Sequence, residues 1–234
     1  MDYDYKKMKK KLIIFGSDRD LLELCKFFFE EEEKVEVVGF TMNEDFISKK
    51  FENRKILGVE IYSFEKIEKL FPPNEFNMFV ALGYSELNEF RERICLEAIN
   101  KGYFLESYIS KKITKFKTFK HGYNCFILED NTIQPFAKIG NGVTLWSGNH
   151  IGHHSVINDF CFLTSHVVIS GAVEVGRNTF IGVNSTVNDS IKIGKKCIIG
   201  SGTLISKNVN DYSVVRAKQS STSEIPSYDW KKEK

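Results

Sequence analysis

Five histidines occur, at positions 121, 150, 153, 154 and 166, and four of them crowd into residues 150–166. A neutral imidazole takes up or delivers a proton near neutral pH, and it also ligates zinc. Three uses of the cluster follow: a general base, a zinc site, or a set of inert surface side chains. The adjacent pair His153–His154 is the densest part. A second candidate lies at Gly16-Ser17-Asp18, where an apolar run, KKKLIIFG (9–16), meets a helical pattern. Backbone N–H groups at a helix N-terminus attract anions; equally, Asp18 can be a plain N-cap. No GxGxxG is present, which disfavours a dinucleotide cofactor. No CxxC or His–Cys pairing points to a thiolate metal site, and no metal is expected.

The histidines sit inside a repeat. From Ile127 to Ile205 every sixth residue is Ile, Leu or Val: 127, 133, 139, 145, 151, 157, 163, 169, 175, 181, 187, 193, 199 and 205. A period of six fits neither a helix nor a simple strand. It is the signature of hexapeptide-repeat parallel β-helices. Three hexads make one triangular coil, with one large aliphatic per side pointing inward and coils stacked at the strand spacing of ~4.8 Å. The residue after the aliphatic is expected at a tight corner that favours glycine; Gly140, Gly152, Gly176, Gly182, Gly194 and Gly200 stand there. The fifth position, which includes Asn131, Ala137, Asn149, Ser155, Cys161 and Thr179, must point inward and be small. Cys125, Cys161 and Cys197 share that column two coils apart, at ~10 Å on strand spacing, too far for a disulfide. They read as small buried hydrophobes. None of the histidines occupies the large-aliphatic position within the repeat. Gly148, His166, Asn184 and Gly202 form one column whose glycines either leave room for a cofactor arm or merely serve the corner.

The 234 residues suffice for two small domains. A net charge of +2 argues against a nucleic-acid partner. No apolar run reaches membrane-span length, and MDYDYKKMKKK lacks a signal-peptide core, so a cytoplasmic protein is expected. The N-terminal half alternates strands (9–16, 34–41, 76–83) with helices (Asp18–Glu32, Leu87–Lys101), and 61–70 adds a strand edge and a short helix. This pattern implies a parallel, Rossmann-like sheet. The expected domains are 1–105, a connector 106–126, a β-helix 127–216 and a loose tail 217–234.

Together the halves resemble the bacterial sugar acyltransferases of the sialic acid O-acetyltransferase and bacillosamine N-acetyltransferase type. The resemblance rests on the repeat and on NHIGHHSVINDF (149–160). It implies a left-handed β-helix, a homotrimer with acyl-CoA between neighbouring prisms, and a nucleotide-linked sugar held by the N-terminal domain. It places the catalytic base on His153. It places the backbone amide that faces the thioester carbonyl on Gly171, one coil later. Cofactor contacts fall on Phe162, Val183 and Ser201, and sugar-nucleotide contacts on Gly16, Ser17, Asp18, Thr41 and Asn43. The chain departs from the family where His154 replaces an acidic residue after the base and Phe162 replaces a second histidine. The Gly-rich loop reads Gly16-Ser17-Asp18-Arg19, and the family's aspartate pair falls near Met42 and Asn43.

The expected activity is therefore acetyl transfer from acetyl-CoA to the amino group of a nucleotide-linked sugar in surface-glycan biosynthesis, with a sugar hydroxyl as the close alternative. The imidazole suits the base and a backbone N–H the oxyanion. His154 either orients His153 or faces solvent. No cysteine lies near the proposed site, so direct transfer is expected over a covalent intermediate. The rivals are a non-catalytic trimeric β-helix scaffold and a zinc-histidine carbonic anhydrase. Phe160, Phe162 and Phe180 are expected on exposed prism faces, where they would join neighbouring copies.

Overall fold

The computed structural model describes residues 11–51 and 53–228. The expected strand at residues 9–10 and the outermost parts of the first domain and tail (1–10 and 229–234) lie outside the described residues. The N-terminal region holds β1 (Lys11–Gly16), α1 (Arg19–Glu31), β2 (Glu36–Met42), α2 (Glu44–Lys50), β3 (Lys55–Ile56), β4 (Val59–Ser63), α3 (Ile67–Leu70), β5 (Phe76–Ala81) and α4 (Glu89–Asn100). The sheet order is β3-β4-β2-β1-β5, parallel except for the β3–β4 hairpin. That hairpin turns on Leu57 and Gly58, both with positive φ, as a two-residue turn requires. β1 is apolar on both faces because helices cover both. Leu12 and Ile14 pack with Leu22, Cys25 and Phe29 of α1, while Ile13 and Phe15 pack with Ile94 and Ala98 of α4.

The rest is a parallel β-helix of two-residue strands in three sheets of six, five and seven strands. Each strand pairs with the one eighteen residues on, as Thr132 with His150 and Lys138 with Val156. All fourteen repeat aliphatics are buried and form one core. Small fifth-position side chains donate to a carbonyl of the next coil: Ser155 Oγ to Ser170 O at 2.8 Å, Thr179 Oγ1 to Gly194 O at 2.9 Å and Cys161 Sγ to Gly176 O at 3.2 Å. Asn149 lies over Asn131, whose Oδ1 accepts the Asn149 N–H at 3.2 Å. Polar groups can therefore line the prism because each is satisfied. The five cysteines are free and buried. Burial pushes the Cys125 thiol up to about 11 and the Cys161 thiol up to about 12.

Two expectations about the repeat are corrected. The left-handed corner residue is the fourth of each hexad, not the second. From Asn124 to Gly202 every sixth residue has positive φ, through Asp130, Phe136, His154, Phe160, His166, Ala172 and Asn184. The glycines after the aliphatic answer a different need, which is close stacking. A Cβ on Gly176 would lie 2.5 Å from the Gly194 carbonyl carbon and the Lys195 nitrogen of the next coil. Gly176→Val should therefore cost at least ~3 kcal/mol by overpacking, and Gly202→Ala, in open space, only the ~1–2 kcal/mol of a left-handed alanine. Urea-unfolding midpoints compare the two; equal shifts would dismiss the stacking argument.

Strand pairing also begins inside the expected connector. Tyr108–Ile109, Thr114–Lys115 and Lys120–His121 pair with the strands that start at residues 126, 132 and 138. This first coil escaped the period because Lys115 and His121 hold the aliphatic column; Ile113 and Phe119 pack on the core from the fifth position instead. At the other end the spacing shortens to sixteen, with Ile199 opposite Val215.

The N-terminal domain packs on the seven-stranded face. Phe28, Phe79 and Tyr108 surround Phe126 at ring distances of 5.4–6.1 Å. Asn124 reaches the outer edge of β5, accepting from Val80 N at 2.8 Å and donating to Val80 O at 3.1 Å. Phe160 and Phe162 are consequently buried, and Tyr84 lies 5.3 Å from Phe162 and 4.7 Å from Phe180. These phenylalanines join the two halves of one chain and do not form an exposed face between copies. Exposed apolar side chains lie elsewhere, with Val168 and Leu204 on the six-stranded face and Val183 at its edge.

Candidate active site

One corner of the prism, between the six- and five-stranded sheets, stacks Pro135, His153, Gly171 and Asp189 in one column and Phe136, His154, Ala172 and Ser190 in the next. His153 and His154 are exposed there. Their Nδ1 atoms approach to 3.2 Å, so one ring donates and the other accepts. With the proton on His153 Nδ1, its Nε2 keeps a free lone pair, and His154 accepts the Nδ1–H. That arrangement is a base with an orienting partner. His154 is itself held, at φ 59°, by stacking on Phe136 at 4.9 Å and 30°. The backbone N–H of His153 donates to Gln134 Oε1 at 3.0 Å. The His153 ring lies flat over Gly171, where an added Cβ would meet Cε1 at 2.7 Å and Nε2 at 2.8 Å.

The Gly171 amide, expected to face the thioester carbonyl, is already engaged. That N–H already donates to Asp189 Oδ1 at 2.8 Å. The bond belongs to the stacking of the prism, since Asn141 N donates to Asp159 Oδ1 in the same way at 2.7 Å. Gly171 makes room for His153, and its amide meets an oxyanion only if Asp189 swings away. Val183 and Ser201 stand one coil apart on a different corner, between the seven- and six-stranded sheets. On that corner His166 fills the space over Gly148, where a Cβ would lie 2.5 Å from its Nδ1, while Gly202 has nothing within 4 Å.

A cavity of about 630 Å³ opens between the C-terminal ends of β1 and β5 and the seven-stranded face. Ser17 and Asp18 line it; Gly16, Thr41 and Asn43 do not. Gly16 is there for packing, since a Cβ would strike Leu22 Cδ2 at 2.6 Å and Ala81 O at 2.9 Å. Thr41 is buried and donates to Tyr62 O at 3.0 Å, and Asn43 starts α2 and donates to Glu65 Oε1 at 3.3 Å. Asp18 is an N-cap, accepting Leu21 N–H at 2.9 Å. Phe162, expected at the acyl donor, belongs to this cavity instead, together with Tyr84, Arg91 and Trp146, which the sequence reading missed. Trp146 carried a signal: it is a large aromatic at the hexad position where glycine prevails. Tyr84 and Arg91 carried none, because their neighbours on the prism lie 69 to 96 residues away in the chain.

Residues 172–207 match the bacterial transferase hexapeptide (six repeats) family. Among curated proteins, the chain is 26% identical over 115 residues to an acyl-[acyl-carrier-protein]--UDP-N-acetylglucosamine O-acyltransferase of Helicobacter pylori, covering 43% of each chain. It is 36% identical over 86 residues to the enzyme of the same description from Pseudomonas entomophila, covering 36% of this chain and 33% of that one. The chain thus spans less than half the length of these relatives. Among solved structures, a mutant perosamine N-acetyltransferase from Caulobacter crescentus, in complex with CoA and GDP-perosamine, superposes with a TM-score of 0.77 at 20% identity, over 87% of this chain and 92% of that one. The acetyltransferase domain of PglB from Neisseria gonorrhoeae gives 0.77 at 17% identity, over 88% and 95%. WeeI from Acinetobacter baumannii gives 0.73 at 16%, over 89% and 97%. This chain carries the hexapeptide repeats of bacterial transferases. Its overall fold is the one those three structures share.

Proposed function

We propose that this chain is an acyl-CoA-dependent sugar acyltransferase that acetylates the amino group of a nucleotide-linked sugar. In this reading the prism is left-handed, the N-terminal region is a Rossmann-like acceptor domain, and the cavity beside Ser17 and Asp18 takes the sugar. The observation that carries the proposal is the His153–His154 contact. It sets an exposed imidazole against a partner ring that accepts its Nδ1–H when His153 carries the proton there, on a fold shared with proteins crystallised with CoA and GDP-perosamine. His153 Nε2 removes a proton from the acceptor amine as nitrogen attacks the thioester carbon, and the resulting imidazolium is held by its Nδ1–H to His154. As the tetrahedral intermediate collapses, the imidazolium returns the proton to the departing thiolate, so CoA leaves as the thiol and His153 is neutral again. Direct transfer is favoured because the cysteines are buried and their thiols are pushed up by desolvation. The curated relatives are named as O-acyltransferases, which keeps a sugar hydroxyl as the second reading.

The reading includes a homotrimer, as the family resemblance implies, and the position of the pair supports a site built from more than one copy. His153 stands on the corner opposite the face that carries the cavity of its own chain, so a complete site needs a second copy to bring acceptor and base together. Cyclic symmetry then repeats the site at each interface. Thiol release from acetyl-CoA, measured with UDP- and GDP-linked amino sugars, tests the activity. Release that depends on the amino sugar, with an amide product by mass spectrometry, is expected. Ester formation would move the assignment to the second reading, and no release with any acceptor would leave a scaffold.

A further inference from the structure

Among the described residues, Arg91 of α4 is the only buried charged side chain, at 1% exposure. It forms part of the cavity wall. Nη1 donates to Leu82 O and Gly83 O, both at 3.0 Å, and Nη2 to Phe160 O at 3.4 Å and Cys161 O at 3.5 Å. A guanidinium has five N–H donors; four are spent on carbonyls, and the fifth, on Nε, has no partner. No carboxylate pairs with Arg91 among the described residues. Desolvation lowers its pKa to about 10, which leaves it charged at neutral pH. The carbonyls and the Phe162 ring, 5.6 Å away, solvate the cation but do not neutralise it. A buried, unneutralised charge is strongly unfavourable, and an anion in the cavity would offset it.

The other anion-attracting feature of the cavity is already used. Asp18 caps the start of α1, and Asp20 follows in the first turn. Both residues line the cavity, and their negative charges oppose the positive helix end that would otherwise draw a phosphate. We propose that the acceptor carries an oxyanion, phosphate or carboxylate, and that this group docks on Arg91 at the inner wall instead of at the N-terminus of α1. Asp18 and Asp20 then face the hydroxyl or amine end of the same ligand, and Tyr84 and Phe162 lie along its flat face. The inference rests on the cavity being the acceptor site, but it predicts binding, not turnover.

Calorimetry on the full chain with UDP, with glucuronate and with glucose as the neutral control tests it, followed by a crystal structure with whichever ligand binds. UDP binding alone identifies a diphosphate source, and glucuronate binding alone a carboxylate. Either result, with an oxygen within hydrogen-bond range of the Arg91 guanidinium, supports the proposal. Arg91→Gln should weaken that ligand ~10–100-fold, the loss of one charge-assisted hydrogen bond, and Arg91→Lys should weaken it less. An oxyanion found at the start of α1, or no binding by either ligand, overturns it. Where Arg91→Gln fails to fold, having lost its carbonyl contacts, the crystal structure of the unaltered protein decides. Thiol release is scored separately. Binding on Arg91 without turnover sinks the enzyme reading alone, and turnover with no oxyanion on Arg91 sinks this one alone.

Discussion

His153→Ala should lower kcat by the ~10²–10⁴ that loss of a general base typically costs, with acetyl-CoA affinity little changed. Nothing structural should compensate, because the His153 side chain is exposed and its removal opens no core cavity. His154→Ala should cost less, since it removes the acceptor at 3.2 Å and not the base. The pH profile separates catalysis from folding. An imidazole base works only once deprotonated, so the acid limb of the wild-type rate should vanish in the alanine variant. An unchanged kcat with the same limb in His153→Ala would remove His153 from the mechanism. One route around the base exists: an amine that arrives neutral needs little help, and His154 is a weaker partner than the carboxylate of the family pattern. In that case the limb persists and reports the amine instead.

Mixing two inactive variants should restore activity. Ser17→Trp fills the cavity and leaves His153 in place; His153→Ala does the reverse. If each site takes its base from one copy and its cavity from another, random trimers of the two contain intact sites, about a quarter of the total. Co-expression should therefore return about a quarter of wild-type turnover from partners that separately show almost none. A site built within one chain predicts no recovery at all. Sedimentation showing a monomer at micromolar concentration would remove the premise. Deleting residues 1–105 is a poorer test, because it would uncover Phe126, Phe160 and Phe162.

The prism was legible because its instruction is local and repeated. Each hexad states its own inward aliphatic, and stacking the next copy on the last leaves little choice of partner. The inward column, the small fifth position and the parallel pairing from Phe126–Ile127 to Leu204–Ile205 all follow from that repeat. It failed in two places. Lys115 and His121 break the pattern in the first coil, and the roles of the second and fourth positions could not be told apart, because a close approach and a left-handed φ select similar residues. The histidine pair was legible as candidate chemistry. Its hydrogen bond was not, since adjacent side chains on a strand would point apart, and only the left-handed turn at His154 brings the two rings together.

By itself, then, the sequence determined a parallel β-helix behind an α/β region, and set His153 and His154 side by side outside its inward aliphatic column. Tertiary structure decided what that corner and its surroundings can do. It chose the seven-stranded face for the N-terminal domain, moved Phe160 and Phe162 from the outside to the inside, and tied the Gly171 amide to Asp189. It also set Arg91 against backbone 69 and 70 residues away. The physical reason is that a period announces itself in any window of the chain. A contact between two unlike surfaces depends instead on shape and charge from distant segments, and these meet only once both halves have folded.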